Sequence, residues 1–125
     1  MTSSIIKLAI EESEKSTYKQ RIGCVIFKGS RILSSGHNVI RSSRIIDKYK
    51  IFKNALHAEQ AAVLKVKEWH KLKGASIIVI KTTKPLGLLK MAKPCPMCQE
   101  LLRHVCIKNI YYSNEFGEIV KMNDW

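Results

Sequence analysis

The segment Ser76–Lys81 constrains the fold most, because it contains the unbroken apolar run Ile77, Ile78, Val79 and Ile80. A strand with apolar side chains on both faces is buried on both faces, which is typical of a sheet covered by helices on its two sides. We therefore expect this strand to lie near the centre of a layered α/β domain.

Shorter patterns on either side of that strand alternate between helix and strand. Ser3 or Ser4 can cap a first helix, Asn54 can cap a second that ends before Gly74, and Pro96 suits the first position of a third. In chain order we expect a helix over 5–18, strands over 23–27 and 31–35, a helix over 55–73, the central strand, a helix over 96–104, and strands over 107–112 and 118–122. The order α-β-β-α-β-α-β-β predicts a three-layer α/β/α sandwich with a mixed five-stranded sheet.

The connection between the last two strands is short, because only the five residues 113–117 separate them. A parallel pair needs a crossover of a dozen residues or more, whereas an antiparallel pair needs only a tight turn. The sequence therefore predicts an antiparallel C-terminal hairpin.

Length and composition limit the class of protein. With 125 residues, 46% of them apolar, the chain suits one packed domain, and we expect residues 1–125 to form a single domain rather than a disordered tail. No apolar run approaches the roughly 18 residues that a membrane helix needs. Acids follow the short N-terminal apolar stretch at once, unlike a secretory signal. We therefore expect a soluble, cytoplasmic protein with no membrane partner.

The four cysteines divide into a C-x-x-C pair, Cys95 and Cys98, and two isolated residues, Cys24 and Cys106. Without a secretion signal, a C-x-x-C pair indicates metal or redox chemistry rather than a disulfide framework. We expect the two isolated cysteines to be core thiols.

Two short motifs carry the chemistry: H-A-E at 57–59 and P-C-P-M-C at 94–98, each at the start of a predicted helix. His57, Cys95 and Cys98 are three zinc-type ligands, and three protein ligands leave the fourth tetrahedral position open for water. Glu59 is close enough to His57 in the first helical turn to act as a general base on that water. Each motif alone is weak evidence, but the two on consecutive crossovers are specific.

The combination of H-x-E and P-C-x-x-C resembles the zinc-dependent cytidine/deoxycytidylate deaminase superfamily, over nearly the whole chain. The resemblance implies one Zn²⁺ per chain, held by His57, Cys95 and Cys98, and a catalytic Glu59 that transfers protons. It also implies a homo-oligomeric assembly.

The resemblance further implies how substrate binds and reacts. Asn38, in the family's G-x-N pattern at 36–38, and the backbone N–H of Ala58 would contact the substrate. Water would attack C4 of a cytosine ring while Glu59 moves protons, so that ammonia leaves and uracil remains. The expected substrate is a free nucleoside or nucleotide of pyrimidine metabolism: cytidine, deoxycytidine or deoxycytidylate.

Two features depart from the tRNA adenosine and deoxycytidylate deaminases. Those proteins usually place a helix between the last two strands, whereas the hairpin predicted here resembles the free cytidine deaminase branch. The stretch 82–94, with Lys84, Lys90 and Lys93, also separates the central strand from the cysteines. We interpret it either as a rim of the active site or as a tolerated surface insertion.

The net charge of +12 leaves a second function open. A strongly basic surface favours an anionic partner, so the alternative is an editing deaminase that acts on single-stranded DNA or RNA, including tRNA. Part of this charge precedes the H-A-E motif, where it suits a 5′-phosphate or a solvated loop: Arg41, Arg44, Lys48, Lys50 and Lys53.

A closed structural zinc site, in a binding module without activity, is the remaining alternative. Such a site needs a fourth protein ligand. The candidates are Cys24, Cys106, His37, His70 and His104.

Overall fold

The computed structural model of the chain describes residues 1–17, 20–40, 55–84, 86–123 and 125. The predicted cap Asn54 and the five basic residues between 41 and 53 lie outside the described residues. Within the described part, no helix is long and apolar enough to cross a membrane.

The described residues form three α-helices, a short 3₁₀-helix and eight strands. The helices are α1 (Ser3–Glu14), α2 (Ala58–Leu64), the 3₁₀-helix (Trp69–Leu72) and α3 (Pro96–His104). The strands are β1 (Arg21–Lys28), β2 (Arg31–His37), β3 (Val39–Ile40), β4 (Ala55–Leu56), β5 (Ser76–Thr82), β6 (Leu89–Lys90), β7 (Asn109–Ser113) and β8 (Ile119–Lys121).

The main sheet has the order β2-β1-β5-β7-β8, with β6 paired to the end of β5. Strand β1 is antiparallel to both β2 and β5, while β5 and β7 are parallel. Strands β7 and β8 are antiparallel. The mixed sheet and its C-terminal hairpin are therefore confirmed, and β6 adds a sixth short strand within the stretch 82–94.

Helices cover both faces of the sheet, as the apolar central strand predicts. Ile78 and Ile80 of β5 pack in a cluster with Ile5 and Ala9 of α1. Ile77 and Val79, which point the other way, pack in a second cluster with Ala62 of α2 and Leu102 of α3. The three-layer α/β/α sandwich is confirmed, with α2 and α3 on one face.

The first helix begins at Ser3, so neither Ser3 nor Ser4 is its N-cap, contrary to the sequence prediction. Thr2 is the N-cap, and its hydroxyl accepts a hydrogen bond from the Ile5 N–H at 3.4 Å. Helix α1 then crosses β1 at Gly23, where an added Cβ would collide with backbone atoms of Ala9 and Ser13. The close approach fixes α1 on the sheet.

The second helix is much shorter than the predicted 55–73, and it begins at Ala58. Ala55 and Leu56 pair as β4 with β3, so their backbone cannot be helical. Helix α2 ends at Leu64. The Trp69 indole N–H donates to the Val63 carbonyl at 3.1 Å, so a side chain of the 3₁₀-helix is bonded back to the last turn of α2.

The isolated cysteines have different surroundings. Cys24 is fully buried in the cluster between the sheet and α2, as expected for a core thiol. Cys106 is exposed and has a φ of 63°, so the expectation of a second core thiol is wrong. It lies in the turn after α3, where the left-handed backbone redirects the chain toward β7.

Candidate metal centre and active-site cavity

Both predicted motifs lie at helix N-termini on the same face of the sheet. His57 is the N-cap residue of α2, and Cys95 is the N-cap residue of α3. Pro96 occupies the first turn of α3, where its fixed φ suits a helix start and its missing N–H costs no hydrogen bond. The sandwich thus brings together two segments that lie far apart in the chain.

Three side chains from these segments form a compact group. The Nδ1 atom of His57 lies 3.8 Å from Sγ of Cys95 and 3.2 Å from Sγ of Cys98. All three ligand atoms lie within 4.8 Å of one another. In tetrahedral zinc sites, Zn–S bonds of about 2.3 Å and Zn–N bonds of about 2.0–2.1 Å place such atoms about 3.6 Å apart. The geometry therefore fits one zinc ion.

The chemistry of these donors also fits a cation. Burial raises the pKa of the Cys98 thiol, and the negative charges of Glu59 and Cys95 raise it further. A divalent cation reverses this effect, because a coordinated thiol loses its proton outright. The His/Cys/Cys group could therefore bind one zinc ion, whose positive charge would offset the negative charges of the two thiolates and of Glu59.

The group has three protein ligands, and a cavity adjoins it. Among the described residues, only His57, Cys95 and Cys98 come together as such a group; Cys24, Cys106, His37, His70 and His104 are not part of it. This arrangement argues against the closed structural site and matches an open coordination position.

The cavity has a volume of about 520 Å³, within the range of small-molecule sites. It contains the predicted site residues Asn38, Ala58 and Glu59 beside His57 and Cys95. The rest of its lining is mostly apolar: Gln20, Ile22, Leu56, Val79, Met91, Ala92 and Lys93. Because Met91, Ala92 and Lys93 belong to it, the stretch 82–94 does form part of the rim.

Glu59 lies in the first turn of α2 and is only 4% exposed. Burial raises its pKa, while its own backbone N–H, the Cys98 thiol and the charge of His57 limit that rise. The carboxyl group therefore lies beside a candidate metal ligand, in surroundings that favour its neutral form more than water does.

The position of α2 depends on close packing against the hairpin of β1 and β2. An added Cβ on Gly36 would lie 2.7 Å from the Ala62 nitrogen and 2.8 Å from the Ala58 oxygen. The Cys24 thiol also donates to the Ala58 carbonyl at 3.2 Å. The first turn of α2, with Ala58 and Glu59, is thereby held at a fixed height above the sheet.

Asn38 lines the cavity, and its side-chain amide also forms hydrogen bonds to the backbone at the start of β1. Its Oδ1 accepts from the Ile22 N–H at 3.0 Å, and its Nδ2 donates to the Gln20 carbonyl at 2.7 Å. One amide hydrogen and one lone pair are left for a ligand. The side chain therefore ties the end of β2 to the start of β1 on the cavity wall.

Gln60 supports the site and was not predicted from the sequence. Its Oε1 accepts from the His57 N–H at 2.8 Å, which fixes the residue that carries the imidazole. Its Nε2 is buried and has no hydrogen-bond partner among the described residues. The signal that could have identified Gln60 is its place three residues after the N-cap, where a glutamine side chain bonds back to the cap.

A mixed α/β/α sandwich that places one His and two Cys at paired helix N-termini defines a zinc-deaminase type of domain. The family model of the cytidine and deoxycytidylate deaminase zinc-binding region matches residues 1–114, and the chain belongs to this family. Membership supports zinc-dependent hydrolytic deamination of cytosine as the general activity. No curated protein matches the chain.

Solved structures show the same fold at low sequence identity. The cytidine deaminase from Burkholderia pseudomallei is 18% identical, with a TM-score of 0.65 over 98% of this chain and 92% of that chain. The dCMP deaminase from the cyanophage S-TIM5, in complex with dCMP and dUMP, is 21% identical, with a TM-score of 0.58 over 93% of this chain and 85% of that chain.

Proposed function

We propose that the protein deaminates the cytosine base of a free nucleoside or nucleotide, namely cytidine, deoxycytidine or deoxycytidylate. The products are the uracil counterpart and ammonia. The observation that carries the proposal is the buried Glu59 carboxyl beside a three-ligand metal group in a cavity of about 520 Å³. The structures of a cytidine deaminase and a dCMP deaminase share the fold, which supports this substrate range.

His57, Cys95 and Cys98 would hold the zinc ion. When bound, zinc supplies a Lewis acid that makes water a nucleophile near neutral pH, by lowering its pKa to about 7. The three side chains then set the position of the attack relative to the cavity wall. The hydrogen bond from the His57 N–H to Gln60 helps keep the imidazole ligand in place.

Glu59 would move the protons. Its carboxylate would take one proton from the attacking water and deliver it to N3 of the cytosine ring as C4 becomes tetrahedral. It would then take the second proton from the new hydroxyl group on C4 and pass it to the amine, which leaves as ammonia while the C4 carbonyl forms. Because burial raises the pKa of Glu59, its carboxylate accepts a proton more readily than an exposed glutamate would.

Asn38 and Ala58 would orient the substrate. Both line the cavity, and Asn38 keeps one amide hydrogen free for a sugar or base oxygen. Ala58 is the first residue of α2, and a helix makes no internal bond to the N–H at that position. These two contacts would hold C4 above the metal group.

A nucleic-acid substrate is the second candidate, favoured by the net charge of +12. Proteins that bind single strands combine such charge with aromatic side chains on which bases stack. No Phe, Tyr or Trp is among the described residues that line the cavity. We therefore rank the free nucleoside or nucleotide first.

We also propose a cytoplasmic homo-oligomer. Exposed apolar side chains on the described residues suit burial between copies of the chain, among them Leu86, Leu88, Met91, Met97 and Phe116. The free thiols of Cys95 and Cys98 suit a reducing compartment. Light scattering on purified protein would report an assembly larger than one chain; a monomer at all concentrations would contradict the proposal.

The test is ammonia release by zinc-loaded protein from each candidate substrate. We expect turnover of cytidine, deoxycytidine or deoxycytidylate and a matching amount of the uracil product. Turnover of a single-stranded oligonucleotide alone would favour the editing function instead. No turnover of any cytosine compound would contradict deamination of cytosine.

A further inference from the structure

A cluster of lysines, of which only Lys93 lines the cavity, has no part in the mechanism above. It consists of Lys81 on β5, Lys90 on β6, and Lys93 in the segment that follows β6. We propose that these three lysines bind the phosphate group of the substrate, so that the enzyme acts on a cytosine nucleoside monophosphate in preference to the nucleoside. The inference rests on the proposed deamination and specifies its substrate.

The strand register places two of these lysines on the cavity side of the sheet. Lys81 is directly opposite Ile22 of β1, which lines the cavity. Lys81 is also directly opposite Lys90 of β6. Directly opposite residues of an antiparallel pair point to the same face, with Cβ atoms about 4.5–5.5 Å apart. Ile22, Lys81 and Lys90 therefore form a row that continues the cavity wall outward.

Two like charges directly opposite each other destabilise a sheet. Within the described residues, the salt bridges join Glu12 to Lys15 and His37, and Glu68 to Lys71. No carboxylate in that part of the chain thus pairs with Lys81, Lys90 or Lys93. A phosphate monoester, which carries about −1.5 to −2 charges near pH 7, would offset half or more of the positive charge of these three lysines.

The lysine cluster has a rigid base. The Ser113 hydroxyl, which is fully buried, accepts a hydrogen bond from the Lys81 N–H and donates one to the Lys90 carbonyl. The Ser113 carbonyl accepts from the Ala92 N–H at 2.8 Å. One residue of β7 therefore holds the backbone at Lys81, at Lys90 and next to Lys93. A site fixed by rigid elements in this way binds without first ordering a loop.

Lys93 connects the cluster to the reacting end of the cavity. It lines the cavity wall, two residues before the candidate metal ligand Cys95. A nucleotide with its base at Glu59 and its phosphate beside Lys93 would have that phosphate near the segment that Ser113 joins to Lys81 and Lys90. The same three lysines offer one anion site, and no aromatic stacking platform accompanies them among the cavity residues.

The experiment compares deoxycytidine 5′-monophosphate with deoxycytidine as substrates of the zinc-loaded protein. The variants are Lys81→Gln, Lys90→Gln and the double substitution, with Lys108→Gln as the matched control. Lys108 is exposed and lies just before β7, near the opposite end of β5. We expect the ratio of kcat/KM for the nucleotide to that for the nucleoside to fall about tenfold for each lysine removed, and to stay unchanged in Lys108→Gln.

A binding measurement separates this inference from the proposed function. If no cytosine compound is deaminated, the proposed function fails, and calorimetry with dUMP and deoxyuridine then tests the phosphate site by itself. Tighter binding of dUMP that weakens in the double variant supports the site. Equal binding of dUMP and deoxyuridine, an unchanged kcat/KM ratio in the double variant, or turnover of an oligonucleotide alone would overturn the proposal.

Discussion

The Nδ1 atom of His57 and the Sγ atom of Cys98 lie 3.2 Å apart, although 41 positions separate the two residues in the chain. Their contact requires α2 and α3 to pack side by side on one face of the sheet. Ala62 and Leu102, one from each helix, belong to the same buried cluster on that face. The metal group therefore exists only in the folded protein, and we expect metal binding and folding to be coupled.

Loss of a cysteine ligand tests this metal group. Loss of a residue that only hydrogen-bonds to a metal ligand lowers metal affinity roughly 10- to 100-fold. Because Cys98→Ser removes a ligand itself, we expect zinc affinity to fall by more than this. The thermal midpoint should fall as well, since bound zinc stabilises only the folded chain. Metal analysis and a competition titration with a chelator measure the first effect, and calorimetry measures the second.

Cys106→Ser is the matched control for this substitution, because Cys106 is exposed and outside the metal group. It should bind zinc as the wild type does. Full zinc occupancy in Cys98→Ser would show that Cys98 is not a ligand.

Substitution of Glu59 separates metal binding from catalysis. Glu59→Gln keeps the size of a side chain that is only 4% exposed but cannot accept and return protons. We expect kcat to fall about 10²- to 10⁴-fold while zinc content stays the same. Steady-state ammonia release and metal analysis on the same sample measure both quantities.

Glu100→Gln, on the exposed side of α3, is the control for general loss of charge and should keep full activity. If Glu59→Gln retained the wild-type rate, the role of Glu59 in proton transfer would be ruled out.

Gly36 tests whether close packing positions the site. In Gly36→Ala the new Cβ would lie 2.7 Å from the Ala62 nitrogen and 2.8 Å from the Ala58 oxygen, so α2 must move away from β2. We expect the free energy of unfolding to fall by about 1–3 kcal/mol. We also expect the rate of ammonia release to fall, because Ala58 and Glu59 move with the helix. Denaturant unfolding and kinetics measure the two effects.

The neighbouring Ser35→Ala adds no atoms and should leave both properties close to wild type. A Gly36→Ala protein of unchanged stability and activity would show that this contact does not position α2.

Glu12 gives the fold a dependence on pH. Burial raises its pKa, but hydrogen bonds from Lys15 and His37 more than offset this, and the pKa lies below the ordinary value of 4.5. A lowered pKa means that the folded state favours the charged form. The resulting stabilisation is complete above the unfolded-state pKa and disappears as pH falls through the folded-state pKa.

We therefore expect wild type to exceed Glu12→Gln in free energy of unfolding at neutral pH, and the difference to shrink at pH values below 4.5. Urea unfolding at several pH values measures this difference. Glu11→Gln, at the exposed neighbouring position, is the matched control for the loss of a negative charge on α1. A difference that stays constant down to the acid transition would contradict the role assigned to Glu12.

The order of elements could be predicted from the sequence because local patterns determine it. The apolar side chains of Ile77–Ile80 point to both faces of the sheet, so both faces must be covered by other elements. The two buried clusters, one on each face, do contain these side chains. Pro96 correctly marks the start of α3, since its ring suits that position. The residues that could hold zinc were predicted from ligand chemistry and spacing, and the fold brings them together.

Element ends were predicted less well, because tertiary contacts decide them. Helix formers continue beyond Leu64, yet α2 stops there and Trp69 bonds back to Val63. Pairing between β3 and β4 removes Ala55 from the helix. The support of His57 by Gln60 also depends on the exact start of α2, which the sequence prediction placed three residues early.

The most direct test of the central claim is the release of ammonia from deoxycytidine and deoxycytidylate by zinc-loaded and metal-stripped protein, with zinc content measured on each sample. We predict that ammonia and the uracil product appear in equal amounts, at a rate proportional to bound zinc, and that stripping abolishes turnover and zinc restores it. Turnover independent of zinc, or none from any cytosine nucleoside, nucleotide or oligonucleotide by fully loaded protein, would contradict the account.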